Sequence, residues 1–496
     1  DNDNDLDLYI GNQPPSSLYE RPKLKGKVDY RFTDRLYRND GGRFTDVTAT
    51  AGITNYTYTL SVVTSDLNND GFVDVYVACD YEEPDIMYIN NGDGTFRNEA
   101  DAALRHMSNF SMGADVADIN NDGWMDIFTA DMVAEDHYRL KTNMSGMNPE
   151  KFWNLANNGF HFQYMFNALQ LNNGNGTFSD IAQLAGVSHT DWSWAAFFMD
   201  ADHDGFKDLI VTNGQAKEMR NKDYEIARKD ILASANTQED MHDLLFEISQ
   251  MAPQQKLVNY IYRNNGDLTF TNMAMKWGLD AETWSQGACV GDLDNDGDLD
   301  LVINNINDKA LIYRNTVNDL RINHYLTIEV DGPAGNTAGL QTKVRIECGN
   351  RTQVAELTPF RGYMSTMQDI LHFGLGDCGV VSRVQVTWPD GKVWEAADVK
   401  ANQTLTVNYA DASEGGQSED RQPVLFTEFD AGTVRHIENE YDDYAREILL
   451  PYKMSTLGPV VTKGDVNGDG REDLYVGGSA GQPGAIYQFG ASGKLE

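Results

Sequence analysis

The sequence predicts an all-β fold, a β-propeller of repeated four-stranded units, on three observations. An aspartate ladder, D-x-D-x-D-G-x-x-D, recurs along the chain and each time runs into strand-like residues, as in Asp292–Asp300 followed by Leu301-Val-Ile303. A second phrase alternates with it: Met87-Tyr-Ile-Asn90-Asn-Gly92-Asp-Gly-Thr-Phe96 recurs in related form from Leu36, Leu169 and Ile261. A strand, an Asn/Gly turn and a second strand make a hairpin. Third, the last aspartates of successive ladders, Asp7, Asp74, Asp126, Asp208 and Asp300, lie 67, 52, 82 and 92 residues apart. A period near fifty with insertions suits propeller blades.

The ladder has its own chemistry. Hard cations such as Ca²⁺ take about six to eight oxygen ligands in a flexible cage. Side chains at ladder positions 1, 3, 5 and 9 can converge on one ion, and position 7 can add its carbonyl. Position 6 is glycine, which turns the backbone sharply with positive φ. Complete ladders are Asp66, Asn68, Asp70, Asp74; Asp118, Asn120, Asp122, Asp126; Asp200, Asp202, Asp204, Asp208; Asp292, Asp294, Asp296, Asp300; and Asp465, Asn467, Asp469, Asp473. Position 7 varies (Phe72, Trp124, Phe206, Asp298, Arg471), as expected if only its carbonyl matters. An EF-hand needs a bidentate Glu at position 12 and flanking helices. Position 12 here is Val77, Thr129, Val211, Ile303 or Val476, so EF-hands are excluded and each ladder is expected to join two strands. Several structural Ca²⁺ ions are the expected cofactors.

Composition bounds the rest. The chain has 496 residues and a formal net charge of −37, much of it in the ladders. That length predicts more than one domain. The acidity and the absence of a basic patch argue against nucleic acid. No apolar run approaches the ~20 residues of a transmembrane helix. Cys79 and Cys289 sit in strand-like runs and read as buried thiols, whereas Cys348 and Cys378 share one small domain, and their pairing is open. Extracellular calcium modules work at roughly 10⁻⁴–10⁻³ M Ca²⁺, which favours a secreted or surface location.

In chain order, Asp1, Asp3 and Asp7 align with positions 3, 5 and 9 of a ladder lacking its first position, with Asn4 in the glycine place. A start inside a motif reads as a fragment of a longer polypeptide. Two insertions interrupt the period, at 131–166 and 215–260. The second reads as two helices, near Asp223–Ala235 and Asp240–Met251. Each is a ligand- or partner-binding cap or a packed cover over blade edges. Trp192 and Trp194, just before a ladder, could stack on sugar rings or serve as inner-strand core residues.

The ladders and hairpins over 1–316 resemble FG-GAP/VCBS repeats, the calcium-loop blades of the integrin α-subunit. The resemblance implies a propeller, usually of seven blades, with one or two blades before Asp1. From about Asn323 alternating strands replace the ladders. Asn323-His-Tyr-Leu326, Gly362-Tyr363-Met-Ser365, Leu371-His372-Phe-Gly-Leu-Gly376, Val386-Thr-Trp388-Pro-Asp-Gly391 and Asn402-Gln403-Thr-Leu405 resemble the ASPIC/UnbV domain over 318–410, a small β-sandwich-like module. His372, inside a β-hairpin phrase, reads as structural. Residues 411–424 read as a linker and 425–496 as the opening of a second FG-GAP-like propeller.

The phrase set is similar to large surface proteins of Bacteroidetes-type bacteria. That resemblance implies a lipid-anchored outer-membrane protein, or a secreted one, that binds a protein partner or glycan, with a SusC/SusD-like complex among the partners. The alternative is a polysaccharide lyase or hydrolase. Against it, the clustered aspartates belong to ladders, and Asp131, Glu135, Asp136 and His137 form no defined constellation. No nucleophile, zinc-protease or P-loop signature is present. The expectation is a non-enzymatic calcium-binding protein.

Overall fold

The computed structural model describes residues 1–14, 31–81, 83–143, 149–233, 238–415, 436–447, 450 and 453–488. It divides into two compact units, Asp1–Gly416 and Gln417–Glu496.

In the first unit the ladders alternate with antiparallel sheets. The most regular blade runs Tyr58–Ser65, Asp74–Asp80, Ile86–Asn90, Phe96–Asn98, each strand paired with the next. Its ladder joins the inner strand to the second. The inner strand alternates half-buried and buried residues, while Asp74–Cys79 is buried on both faces. That is the signature of sheets stacked face to face, each covering its neighbour. The next two blades have inner strands Ala114–Ala117 and Asp191–Met199, and their second strands are Asp126–Thr129 and Asp208–Asn213. The first sheet (Leu8–Ile10, Arg35–Asn39, Phe44–Asp46) and the fifth (Ser285–Gly291, Asp300–Asn305, Leu311–Tyr313) have three strands each.

Apolar layers fill the spaces between sheets. Tyr9 and Leu36 meet Val75, Val77 and Tyr88 between the first two. Phe128 and Leu169 meet Phe198 and Leu209 between the third and fourth. Phe197 and Ile210 meet Val290 and Ile303 between the fourth and fifth.

Residues 324–414 form two further sheets around a core of Leu326, Ile346, Phe373, Val384 and Trp388. A disulfide joins Cys348 to Cys378, with Cα atoms 6.1 Å apart. Cys79 is free and buried, as its strand position implies, whereas Cys289 is free but only half-buried.

Both insertions leave from the turn between a blade's second and third strands. The ladder joins the first and second, so the insertions emerge at the opposite end of the sheet. The second insertion is a helical hairpin, Lys222–Leu232 and Gln238–Met251. The Asn221 side chain accepts from Tyr224 N and caps its first helix. The first carries the helices His137–Thr142 and Pro149–Asn157.

In the second unit, Val461–Gly464, Asp473–Val476 and Ala485–Tyr487 form an antiparallel sheet whose first turn is the last ladder. Most of the expected linker, and residues 425–435 of the expected second propeller, lie outside the described residues.

Candidate functional site

The five complete ladders fold into one repeated loop. Gly71, Gly123, Gly205, Gly297 and Gly470 have φ between 84° and 92°, a conformation that costs glycine least. Position 4 is also left-handed: Asn69, Asn121, His203 and Asn295 lie between 56° and 61°. Asn4, aligned with the glycine place of the partial ladder, has φ 75°.

The carboxylates organise this backbone. In the loop from Asp118, Asp122 N donates to Asp118 Oδ1 (3.1 Å) and Gly123 N to Asp118 Oδ2 (2.8 Å). Ile119 N donates to Asp126 Oδ2 (3.1 Å), and Asn172 N, from the hairpin phrase, donates to Asp126 Oδ1 (2.8 Å). Asp74, Asp208 and Asp300 are held the same way by the N–H groups of Leu67 and Asn90, Ala201 and Asn264, and Leu293 and Asn315. The repeated hairpin asparagine thus has a role beyond the turn. Its side chain also reaches back to the preceding ladder: Asn172 Nδ2 to Leu67 O, Asn264 Nδ2 to Ile119 O, Asn315 Nδ2 to Ala201 O. In Asp465–Asp473, Val466 N and Gly470 N repeat the bonds to positions 9 and 1. In the partial ladder, Asn39 N donates to Asp7 Oδ1 and Asp5 N to Asp3 Oδ1.

Position 7 has a packing role. The rings of Phe72, Trp124 and Phe206 come within 2.9, 3.0 and 2.9 Å of where a Cβ on Gly92, Gly174 or Gly266 would stand, closing each hairpin over its ladder. Sequence reasoning missed this; the signal was an aromatic at position 7 in three ladders, each followed by an Asn-x-Gly hairpin.

The donor set fits a hard dication. It consists of oxygens, and carboxylate oxygens of Asp200, Asp202 and Asp208, and of Asp292, Asp294 and Asp300, lie within 4.8 Å of one another. Burial pushes the Asp74 carboxyl up to about 7 and Asp126 up to about 8, and the neighbouring ladder carboxylates add to both. Burial also raises Asp118 to about 6 and Asp200 to about 7. Crowded, desolvated carboxylates of this kind are relieved by a cation. The remaining ladder members, Asp66, Asn68, Asp70, Asn120, Asp122, Asp204, Asp296, Asn467 and Asp469, occupy equivalent places in their loops.

Ladders also bond to one another. Asn2, Asn69 and Asn121 at position 4 donate through Nδ2 to the carbonyls of Gly71, Gly123 and Gly205 in the next ladder, at 2.9, 3.0 and 2.9 Å. At the next junction position 4 is His203, and His372 of the following module takes the Gly297 carbonyl instead (Nε2 to O, 3.1 Å). Its ring lies 4.7 Å from His203 and stacks on Tyr325. His372 is therefore an interface residue.

That contact belongs to a larger surface: residues 324–414 cover the ladder side of the blades. Lys343 Nζ bonds Asp66 Oδ2 (2.9 Å) and Glu356 (3.1 Å), while Glu356 also accepts from Ser65 Oγ and Asp66 N. Lys207 Nζ donates to His372 O. The segment Pro359–Gln368 runs across the inner strands of four successive blades. Gly362, at φ 71°, bonds Ser61 and Ala114 and packs on Ala195 and Ala196. Ser365 Oγ accepts from Ala288 N. Arg361 reaches Asp115 Oδ2 and Phe198 O, each at 3.2 Å. Tyr363 packs on Trp194, with ring centres 4.7 Å apart, so Trp194 serves the interior.

On the insertion side, Arg139 ties the two insertions together. It bonds Asp191, at 2.6 and 2.9 Å, and reaches Glu218 (2.8 Å) and Gln255 (2.7 Å). The carboxylates considered for catalysis carry structural bonds. Asp131 accepts from Ser108 Oγ and three backbone amides, Asp136 caps its helix, and Glu135 accepts from Tyr260. The helical hairpin packs on itself through Tyr224, Ile231, Leu244 and Ile248. Ile226, Leu245, Phe246 and Met251 of the hairpin are exposed. Trp153 and Phe162 of the first insertion are also exposed, beside a stack of Phe152, Tyr164 and Phe166.

No helix among the described residues is long and apolar enough to cross a membrane. The model for ASPIC and UnbV matches residues 332–414. The FG-GAP-like repeat model matches 1–77, 66–129, 152–211 and 233–303. Among curated proteins, the chain is similar to cartilage acidic protein 1 of Homo sapiens, 26% identical over 371 residues. The mouse protein is 24% identical; each match covers 73% of this chain and 46% or 47% of the relative. The chain thus spans about half the length of these relatives. Among solved structures, the crystal structure of the V. cholerae biofilm matrix protein Bap1 aligns at a TM-score of 0.28 and 11% identity, over 79% of this chain and 59% of that one, too distant to inform the fold. Repeated ladders, hairpins and the covering module converge with these matches: the chain belongs to the FG-GAP-like repeat family and carries an ASPIC/UnbV domain on its propeller-like blades.

Proposed function

We propose that this is a non-enzymatic, calcium-stabilised extracellular or cell-surface protein that uses its insertion face to engage a protein partner or a glycan. The observation that carries the reading is the division of the blades into two ends. The ASPIC/UnbV module occupies the ladder end, with Lys343, Arg361 and His372 bonded into it. The other end carries two insertions joined by Arg139 and exposed apolar side chains, Ile226, Leu245, Phe246 and Met251, on a self-packed hairpin. Exposed apolar surface of this kind marks interaction sites.

Ca²⁺ in the ladders would hold strand turns in register and neutralise crowded carboxylates. An extracellular or surface setting is supported by the Cys348–Cys378 disulfide, since such bonds persist in oxidising compartments, and by the name of the cartilage acidic protein relatives. A lipid-anchored outer-membrane subunit beside a SusC/SusD-like complex is one form of this proposal.

The test is purification from the native membrane in mild detergent, with mass spectrometry of co-eluting proteins. The proposal expects a stoichiometric surface partner that is lost from a Phe246→Ser/Ile226→Ser variant, or a glycan-array signal lost from the same variant. Binding unaffected by that variant would remove the insertion face from the reading.

A further inference from the structure

We propose that Arg263 and Arg314 are counter-ions built into the blades, which offset the extra carboxylate of the all-aspartate ladders and so tune their affinity for a divalent cation. The inference rests on the calcium reading above.

The first observation is an internal covariation. Position 3 is asparagine in three ladders (Asn68, Asn120, Asn467) and aspartate in three (Asp1, Asp202, Asp294). Strand register, extended by one residue, identifies the position that faces each ladder's last aspartate from the strand that follows. The pairs Val75↔Tyr88, Ile127↔Gln170 and Leu474↔Tyr487 place Ile89, Leu171 and Gln488 there in the asparagine ladders. The pairs Leu8↔Tyr37, Leu209↔Tyr262 and Leu301↔Tyr313 place Arg38, Arg263 and Arg314 there in the aspartate ladders. Arginine stands at this position wherever position 3 is aspartate, and nowhere else among the six.

The second observation is that the two arrangements satisfy the same atom. In the asparagine ladders, Nδ2 of position 3 donates to Oδ2 of position 5: Asn68 to Asp70 (2.9 Å), Asn120 to Asp122 (2.9 Å), Asn467 to Asp469 (3.2 Å). An aspartate at position 3 has no proton to give. There the guanidinium replaces it: Arg263 Nη2 donates to Asp204 Oδ2 and Arg314 Nη2 to Asp296 Oδ2, each at 2.8 Å. The Nε of each donates to the extra carboxylate, Asp202 or Asp294, at 2.7 Å. Arg38, beside the partial ladder, instead bonds Asp40.

The charges follow. An asparagine ladder offers three carboxylates at its coordinating positions. An aspartate ladder offers four and one guanidinium, which stays charged at any pH the protein meets. The guanidinium holds Oδ2 of positions 3 and 5, leaving Oδ1 of both facing the loop, where Asp204 N and Phe206 N bond them in the ladder of Asp200. It therefore offsets repulsion without taking the cation's place. Removing it should weaken the ion-free loop and strengthen cation binding.

The experiment uses the full chain with Ca²⁺ as probe, comparing thermal melting in chelator and in millimolar Ca²⁺ with calorimetric titration. Arg263→Leu, which installs the residue found at Leu171, should lower the melting temperature in chelator. It should also enlarge the Ca²⁺-induced rise, with roughly tenfold tighter binding at that loop, the scale of one unit charge beside a dication in a water-like medium. Adding Asp202→Asn should return both readouts to wild-type values, because the pair then matches Asn120 and Leu171. Asp202→Asn alone, a nearly isosteric change, should weaken binding at that loop, and gives a readout if Arg263→Leu fails to fold. Unchanged melting in Arg263→Leu, or no rescue by the second substitution, overturns the counter-ion assignment. A wild-type melting temperature indifferent to Ca²⁺ overturns the calcium reading and the affinity part of the proposal with it, and is distinguishable because it needs no variant.

Discussion

Arg361→Ala tests whether the ASPIC/UnbV module and the blades form one energetic unit. The Arg361 side chain is 20% exposed and that of Asp115 is 1% exposed, and they are 3.2 Å apart. Truncation leaves Asp115 with the N–H groups of Val116 and Phe198 (2.8 and 2.7 Å) but no counter-charge. Breaking a buried pair from one side costs about 3–5 kcal/mol. The two retained donors, and the option of protonating a carboxyl that burial already raises, place the expectation at the low end, about 3 kcal/mol at pH 7. Urea unfolding followed by tryptophan fluorescence is a suitable assay, because Trp194 packs on Tyr363 in the same segment. Because burial raises the Asp115 carboxyl, the cost should shrink as pH falls and Asp115 takes up a proton, and a cycle with Asp115→Asn should show coupling. A loss under about 0.5 kcal/mol, the size of an ordinary surface substitution, would refute the docking of Pro359–Gln368 on the inner strands.

Further outcomes follow from the same geometry. Asp296→Ala removes the acceptor of Asp298 N and Arg314, so it should lose about 1–3 kcal/mol by thermal melting in millimolar Ca²⁺; an unchanged melting temperature would argue against a filled loop. In chelator, burial-raised Asp74 and Asp126 contribute stability that is present below the ordinary carboxylate range and lost as pH rises through about 7 and 8. Melting in chelator should therefore fall between pH 5 and 8, while saturating Ca²⁺ flattens the profile. Replacing residues 222–251 with a short linker should leave the blades folded by circular dichroism, because Glu218 N–Pro253 O closes the base of the hairpin, while partner binding disappears; global unfolding would instead make the hairpin a structural cover. Cys348→Ser/Cys378→Ser opens a loop with a sequence separation of 30 and should cost about 3–4 kcal/mol by the chain-entropy relation, read as a shift in urea midpoint.

The ladders were legible because their chemistry is local. A nine-residue phrase carries its own turn glycine, its left-handed position 4 and its amide-to-carboxylate bonds, so Asp66–Asp74 and Asp465–Asp473 close alike although one lies in each compact unit. Hairpins, the strands after each ladder and the two helices near 222–251 were readable for the same reason: period, turn chemistry and propensity act over a few residues. What each repeated residue bonds to was not. Asn172 pairs with Leu67 O and Lys343 with Asp66, partners 105 and 277 residues apart. Nothing in a local window selects one carbonyl among many; the stacking of sheets does.

The sequence by itself determined the blades, the loops that join their strands, the acidic donor sets and the family of the second module. Only the tertiary structure decided that this module covers the ladder end, that Gly362 and Arg361 lie against the inner strands, that Cys348 meets Cys378, and that the insertions share the other end through Arg139. The physical reason is reach: backbone turns and carboxylate loops satisfy their own hydrogen bonds within a few residues, whereas a buried charge such as Asp115 finds its counter-charge 246 residues away, after the apolar faces have packed.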